Sequence, residues 1–434
     1  MKVGSFTPEQ SDRVLYAMAG DDCSLHHDLD RLTAKQQIDH RENQVLTCAL
    51  QVALIGLGKP IDHIALAREF SQAPWSDLLS HYRHMFTSMG LPTIPGAQQQ
   101  FFDLDGFYAA CADNLPPVDR VNLYMVSGSN GALHNDQRAL GVSQNVNSKV
   151  HFAEHAPGAG IPVPFTAVLS QQAVASGAAA DLFGRYPEGM IVKLLGLAGA
   201  RNVFHVVDEQ DCQAQTEQYP PEAPVILQER LDTSCWQEMT VDLTITPDNV
   251  AINNVRKILF AGGKWVGNYI ATDVALKEAH RKVLLAVGDY ARHHGHVAED
   301  GVNCGVDFFI NGDAITVTEI NARWTGGLFP AEFLRRLNVR QPAVAFFDLV
   351  PAALLGDALP AFQSRHLLQP GRESPFAYLP MGFTPFATSL DGDEVFFVWQ
   401  IVVGDFAGFV AACGSELPAG AFPTARAILA EALS

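Results

Sequence analysis

Between Gln237 and Ile245 the apolar residues Met239, Val241, Leu243 and Ile245 alternate with Glu238, Thr240, Asp242 and Thr244. A two-residue period puts the apolar set on one face of an extended chain, so this stretch predicts a half-buried strand. Thr246-Pro247-Asp248-Asn249 then supplies turn residues, and Val250 to Lys257 returns as the second arm of a hairpin. From Thr272 to His293 the spacing becomes helical. Upstream, the apolar run Val121 to Val126 followed by Ser127-Gly128-Ser129-Asn130-Gly131 predicts a buried strand ending in a flexible turn. Asn147-Ser148 offers a cap for a short helix from Lys149 to about Ala156, stopped by Pro157-Gly158 before the extended Ile161-Pro162-Val163-Pro164-Phe165. After Phe346 the chain is punctuated by Pro and Gly, with one strong strand, Val395 to Val403, and a closing helix, Thr424 to Leu433. Residues 1–44 are polar and charged and read as an extension or a helical arm. There is no internal repeat, and only the Ala-rich stretch 173–180 is of low complexity.

Composition narrows the class. A chain of 434 residues is about three times the common domain size, which implies two or three domains. With 48% apolar and 18% charged residues it can bury a large core, which excludes disorder and a disulfide-knotted miniprotein. Twenty-nine basic against 47 acidic residues leave −18, a field that repels polyphosphate and anionic lipid, so neither nucleic acid nor membrane is an expected partner. Seven scattered cysteines without a Cys-x-x-Cys pair read as reduced thiols in a cytoplasmic protein. The N-terminus has no apolar signal region, and Val45 to Gly58 is too short and too polar to span a bilayer.

Chemistry concentrates in Gly305 to Arg323, two β-rich runs joined by Asn311-Gly312. With an odd-numbered loop and Gly312 left-handed, Asp307, Glu319 and Asn321 project from one face; a two-residue turn would put Asp307 opposite the other two. The odd loop is the expectation. Two carboxylates about 4 Å apart repel by roughly 4 kcal/mol at an effective dielectric near 20, so a proton or a cation must sit between them. Two carboxylates and an amide oxygen suit Mg²⁺, and Arg323 could neutralise a phosphoryl group or clamp a carboxylate. The plain alternative is an exposed hairpin with charges on its wet face. Arg292-His293-His294-Gly295-His296 invites a metal reading as well, although histidines at a helix end more often cap carbonyls or face solvent.

Glu319-Ile320-Asn321-Ala322-Arg323, after the acidic strand holding Asp307, resembles the closing signature of the ATP-grasp carboxylate–amine ligases, an acidic strand followed by Glu-x-Asn-x-Arg. The resemblance covers roughly residues 149–345. It implies an α/β chain, α+β in the grasp lobes, in which an N-terminal pre-ATP-grasp α/β domain (1–148) and a C-terminal domain (346–434) flank the ATP-grasp fold. It makes Asp307, Glu319 and Asn321 the Mg²⁺ ligands, with Mn²⁺ as a substitute, and Arg323 the group that steadies the transferring phosphoryl or the acyl phosphate. Lys149 and Lys193 match the two lysines that reach ATP phosphates; by itself Lys149 reads equally as a solvated helix residue, and Lys193 less readily as a strand lysine facing water. Gly196 and Gly199 lie in a stretch that looks like the small-residue flap over the triphosphate. Val225 to Leu231 resembles the linker between the lobes, with Glu229 for the ribose hydroxyls and Leu231 for adenine. Glu238 matches a carboxylate that faces phosphates or substrate, and Arg256 is expected to end a strand aimed at the same cleft; each reads equally as a surface charge. No tight G-x-G-x-x-G fingerprint occurs in the first 150 residues, and the layout looks most like the pheganomycin-type peptide ligases of natural-product pathways.

The function implied is phosphorylation of a small-molecule carboxylate by ATP, followed by attack of an amine, an amino acid or peptide, on the acyl phosphate, with release of ADP and phosphate. Positioning and charge neutralisation suffice for phosphoryl transfer, so no Ser or Cys nucleophile is needed. An ATP-grasp kinase, a carboxylase and a non-catalytic ATP-binding module remain as alternatives. Oligomeric state is not legible in the chain, although homodimers are common in that family.

Overall fold

The computed structural model describes residues 11–196, 203–262, 264–271, 274–369, 371–390, 393–418 and 420–431. Three sheets carry the chain. The first is parallel, with strands β1 (Val14–Ala17), β2 (His63–Ala67), β3 (Gln99–Phe102) and β4 (Arg120–Leu123) in the order β3-β2-β1-β4. The strand expected at Val121 is therefore β4. Residues 14–44, expected to form an extension, instead supply the interior strand β1 and the first part of a 24-residue helix, Ala34–Leu57. Its Thr33 and Gln36 form a reciprocal capping box. Polar composition misleads there because the polar side chains are buried and bonded. Gln51 donates to the Met18 carbonyl at 2.7 Å and accepts from the Ala67 amide at 2.9 Å, tying together the chain beyond β1 and β2.

The turn after β4 is not a loose one. Ser127 Oγ and Asn130 Nδ2 donate to Asp21 at 3.0 and 3.1 Å, and Tyr108 Oη donates to it at 2.7 Å. Burial still pushes the Asp21 carboxyl up to about 7 against those donors.

The second sheet is antiparallel, with β5 (Thr166–Ser170), β6 (Met190–Leu194), β7 (Val203–Val206) and β8 (Pro224–Glu229) in the order β5-β8-β6-β7 over a small core of its own. The third is a nine-stranded antiparallel sheet. It comprises β9 (Gln237–Ile245), β10 (Val250–Ala261), β11 (Lys264–Ile270), β12 (Val302–Asn311), β13 (Ala314–Asn321), β14 (Ala343–Pro351), β15 (Phe376–Phe383), β16 (Thr388–Leu390) and β17 (Asp393–Gly404). The order is β13-β12-β9-β10-β11-β14-β17-β15, with β16 on β17. The alternating stretch at Met239 forms β9, but it is buried on both faces, because Thr240 and Asp242 are covered as fully as Val241 and Leu243. The helix expected from Thr272 runs from Glu278 to His293; residues 272 and 273 lie outside the described set.

The expected boundary at 345/346 falls inside β14, which pairs with β11 on one side and β17 on the other. The tail is thus continuous with the large sheet, and its core is shared with the first sheet and the Ala34–Leu57 helix. At Gly382 in β15 the helix backbone comes so close that a Cβ would overlap the Ala49 carbonyl. That strand was hidden in the sequence by Pro380 and by Gly382, which flank an irregularity in its pairing with β17.

Candidate active site

Strands β12 and β13 bring Asp307 directly opposite Glu319, and Gly305 opposite Asn321. Asp307, Glu319 and Asn321 therefore share one face, as expected, but the expected cause is wrong. Asn311 pairs with Ala314, which leaves a two-residue turn with Gly312 left-handed at φ 61°. The register shifts between Asp307 and Phe308, so Thr318 is an extra residue on β13. That bulge restores the parity an even turn would have spoiled. Thr318 Oγ1 donates to the Asp307 carbonyl at 3.1 Å, and its own carbonyl accepts from Lys193 Nζ at 3.1 Å.

Both lysines reach this face. Lys149 opens a helix capped by Ser148, whose side chain accepts from the His151 amide at 3.2 Å, and its ammonium is ion-paired with Glu319. Lys193 sits in the middle strand β6 and is only 6% exposed, so neither is a lysine facing water. Burial lowers the Lys193 ammonium to about 8 although Glu319 pulls the other way. Burial opposes the charge of Glu319, but Lys149 and Lys193 together outweigh it and hold this carboxyl below its usual range. Asp307 is raised to about 6 by burial and by Glu319 across the ladder. Glu238, on the same face as Thr240, the cross-strand partner of Asp307, is raised to about 7 by burial and by Asp307. A narrow crevice between the second and third sheets is lined by Lys149, Lys193, Phe152, Val163, Ile226 and Val317. Two lysines and apolar side chains thus meet in one recess between the sheets.

Arg323 is held from three directions. Nε donates to Tyr124 Oη at 3.0 Å, Nη1 donates to Asn321 Oδ1 at 2.6 Å, and Nη2 lies 3.3 Å from Asp22 Oδ1. Tyr124 and Asp22 follow β4 and β1 at the carboxyl ends of the first sheet, where α/β sheets present ligand-facing loops. Sequence reasoning missed both. The signal was the acidic pair Asp21-Asp22 just after a short apolar run, unreadable while residues 1–44 had no place in the fold.

No protein-family model matches the chain, and no curated protein matches it. Solved structures do. N5-carboxyaminoimidazole synthetase from Staphylococcus aureus complexed with ADP matches with TM-score 0.57 and 11% identity over 96% of this chain and 100% of that one. Carboxyaminoimidazole ribonucleotide synthase from Aspergillus clavatus complexed with ATP gives 0.55 and 12% over 91% and 94%. Phosphoribosylamine–glycine ligase from Thermotoga maritima gives 0.51 and 12% over 90% and 92%. The chain has the ATP-grasp fold. At such identities the likeness establishes the fold alone.

Within the ATP-grasp frame, the remaining expected positions divide. Glu229 ends β8, and its carboxylate accepts from the Phe165 amide at 3.3 Å; Leu231 is half-buried in the connection between the second and third sheets. Gly196 follows β6 with φ +104°, and a Cβ there would stand 2.5 Å from Nε2 of His27, which lies 3.2 Å from the Leu195 carbonyl. Gly199 lies outside the described residues. Arg256 departs from expectation. It lies inside β10 rather than at its end, is fully buried, and donates from Nη1 to Asp242 at 2.5 Å. Asp242 also accepts from Thr325 Oγ1 at 2.7 Å, so the buried carboxylate holds the guanidinium against Gly327, from where its charge still reaches Asp307.

The donor set fits a hard cation in kind. Asp307 and Glu319 face each other, and the charge of Glu319 is met by the Lys149 and Lys193 ammonium groups, a place a divalent ion can share. Asn321 Nδ2 donates to Asp307 at 3.0 Å while its oxygen faces Arg323, so ligation by that oxygen requires the amide to turn. Among the described residues no group of three or more His, Cys, Asp and Glu is placed to hold a metal, so the set is two carboxylates and an amide. Among the described residues no helix is long and apolar enough to cross a membrane.

Proposed function

We propose that the chain is a cytoplasmic ATP-dependent carboxylate–amine ligase that forms ADP. The observation carrying this reading is the cross-strand pair Asp307–Glu319, with Asn321 beside it, facing Lys149 and Lys193 in the crevice between two sheets. Lys149 and Lys193 bind the phosphates, Gly196 presents its backbone N–H over them, and Glu229 and Leu231 meet the ribose and adenine. Asp307, Glu319 and Asn321 would hold Mg²⁺, which supplies charge neutralisation at phosphate oxygens when bound. Arg323, fixed by Tyr124 and Asp22, steadies the phosphoryl group as the substrate carboxylate oxygen attacks it. Glu238, raised to about 7, is the base assigned to take a proton from the incoming amine. Arg256 acts at one remove, by holding Asp242 and Thr325 under the Gly326-Gly327 turn.

Residues 149–345 form the nucleotide-binding unit in this reading, and the acid and amine are recognised between it, the first sheet and the tail. Amino acids or peptides of the kind joined in natural-product pathways are the proposed substrates, and a homodimer the proposed assembly. A cytoplasmic setting is supported by seven free cysteines, six of them buried.

The test is an ADP-release screen over the amino acids, with hydroxylamine to trap an acyl phosphate, run on wild type and Glu319→Gln. ADP, phosphate and a hydroxamate from wild type alone are expected. AMP and pyrophosphate would mark an adenylating enzyme instead. Turnover that needs bicarbonate, a phosphorylated product without an amine, or nucleotide binding without turnover would favour the carboxylase, the kinase or the binding module.

A further inference from the structure

The short helix Asp22–His26 and the residue that ends it, His27, reach all three sheets. Asp21, immediately before the helix, is held under the turn after β4 by Tyr108, Ser127 and Asn130. Asp22 accepts from Asn43 Nδ2 at 3.2 Å and lies 3.3 Å from Nη2 of Arg323, which follows β13. The Leu25 carbonyl accepts from Gln144 Nε2 at 3.1 Å, on the helix Gln137–Val146 that leads to Lys149. At the far end, His27 Nε2 lies 3.2 Å from the carbonyl of Leu195, the residue after β6. One pinned stretch thus reaches the elements that carry Lys149, Arg323 and the pair Lys193 and Gly196.

The contact with β6 is specific. A carbonyl only accepts, so His27 Nε2 carries the hydrogen and donates it. A Cβ on Gly196 would come within 2.5 Å of Nε2 and 2.6 Å of Cδ2, so glycine there makes room for the ring as well as adopting φ +104°. The His27 amide donates to the Cys23 carbonyl at 3.1 Å, which ties the base of the ring to the helix. Next to it, His26 is driven down to about 4 by burial and then by His27, Lys149 and Arg323, so the helix lies within electrostatic reach of both of those cations.

We propose that His27 is a positioning residue for the phosphate-binding end of β6: its bond to the Leu195 carbonyl sets Lys193 and Gly196, on the second sheet, at the spacing from Lys149 and Arg323 that a polyphosphate chain needs. The role rests on the nucleotide reading of the crevice. His27 acts through the backbone of β6 and not by touching the nucleotide. Lys193 Nζ meets the Thr318 carbonyl at 3.1 Å, so β6 is tied to the third sheet by a side chain and to the first by its backbone. Two attachments to different parts of the chain fix an element that one would leave free to pivot, and a pre-set site spends less of its binding energy on ordering.

The test is calorimetric titration of the full chain with MgADP and, separately, with AMP, for wild type, His27→Ala and His27→Gln. His27→Ala should weaken MgADP binding about three- to tenfold, the effect of one lost positioning hydrogen bond. His27→Gln keeps an N–H at a similar reach and should return binding to within about twofold of wild type. AMP, which lacks the phosphates beyond the first, should bind all three proteins alike. The ring is half-buried, and the melting temperature without nucleotide should not change. Wild type and His27→Ala that bind MgADP equally, a glutamine variant as weak as the alanine one, or equal losses for AMP and ADP would overturn the proposal. Failure of wild type to bind MgADP would instead bring down the nucleotide reading, and this role with it.

Discussion

Two buried arginines on the same large sheet meet opposite fates. Arg323 places each of its three nitrogens on oxygen, and two of those oxygens, on Tyr124 and Asp22, come from the first sheet. Arg256 is buried more deeply, yet only Nη1 makes a charge-assisted bond, to Asp242, while Nε and Nη2 find no partner among the described residues. A buried donor left unmade costs about 1–3 kcal/mol. The difference shows where placement is over-determined. Arg323 is locked to the first sheet and can serve as a preorganised charge, whereas Arg256 belongs to a tense internal network whose partner carboxylate it must neutralise.

The largest effect should come from breaking that network. Arg256→Ala leaves Asp242 buried and unpaired, and chemical denaturation should show a loss of about 3–5 kcal/mol. Replacing both residues with apolar ones should recover most of it, and a double variant as unstable as the single one would break the comparison. For Arg323 the expected loss is in rate. Arg323→Met should lower ADP formation by about 10²–10³-fold, the cost of removing a preorganised charge from a transition state, with the fold retained in circular dichroism. A change of KM alone would show that Arg323 only binds.

Gly327→Ala sharpens the same contrast, because its new methyl would collide with the Arg256 guanidinium. Overpacking of about 1–3 kcal/mol is expected in a thermal melt, and it should largely vanish in an Arg256→Met background. The smallest effect is Tyr124→Phe, which removes one of three anchors of Arg323. About 0.5–1.5 kcal/mol of positioning is at stake, so the rate should fall a few-fold to about tenfold with stability little changed.

The contrast also bears on how much the chain discloses in advance. The β12–β13 ribbon was legible because carboxylates interrupting β-branched runs are costly unless they work together, and Glu319-x-Asn321-x-Arg323 states their spacing. The bulge at Thr318 was not, since one extra residue in a strand leaves no compositional mark. Lys149 and Lys193 could be named by resemblance, but their burial depends on the second sheet lying over the third. The first sheet was legible only at Val121, for a different reason. Its strand Val14–Ala17 is only four residues long, and the helix behind it buries Gln36, Asn43 and Gln51, so polarity there signals internal hydrogen bonding rather than solvent. Asp22 and Tyr124 could be connected to Arg323 only once that sheet was in place. The tail's strands were masked by Pro380 and Gly382, and Arg256 was misplaced because nothing local shows that Asp242 would claim it.

The central claim is that Asp307 and Glu319, with the two lysines opposite, hold a nucleotide together with a divalent cation. Calorimetric titration of ADP, with and without Mg²⁺, into wild type, Asp307→Asn and Glu319→Gln tests it most directly. The account predicts that Mg²⁺ tightens ADP binding to wild type and that either substitution abolishes this gain while leaving Mg²⁺-free binding measurable. Binding of ADP that is indifferent to Mg²⁺, or a Mg²⁺ effect that both variants preserve, would contradict it.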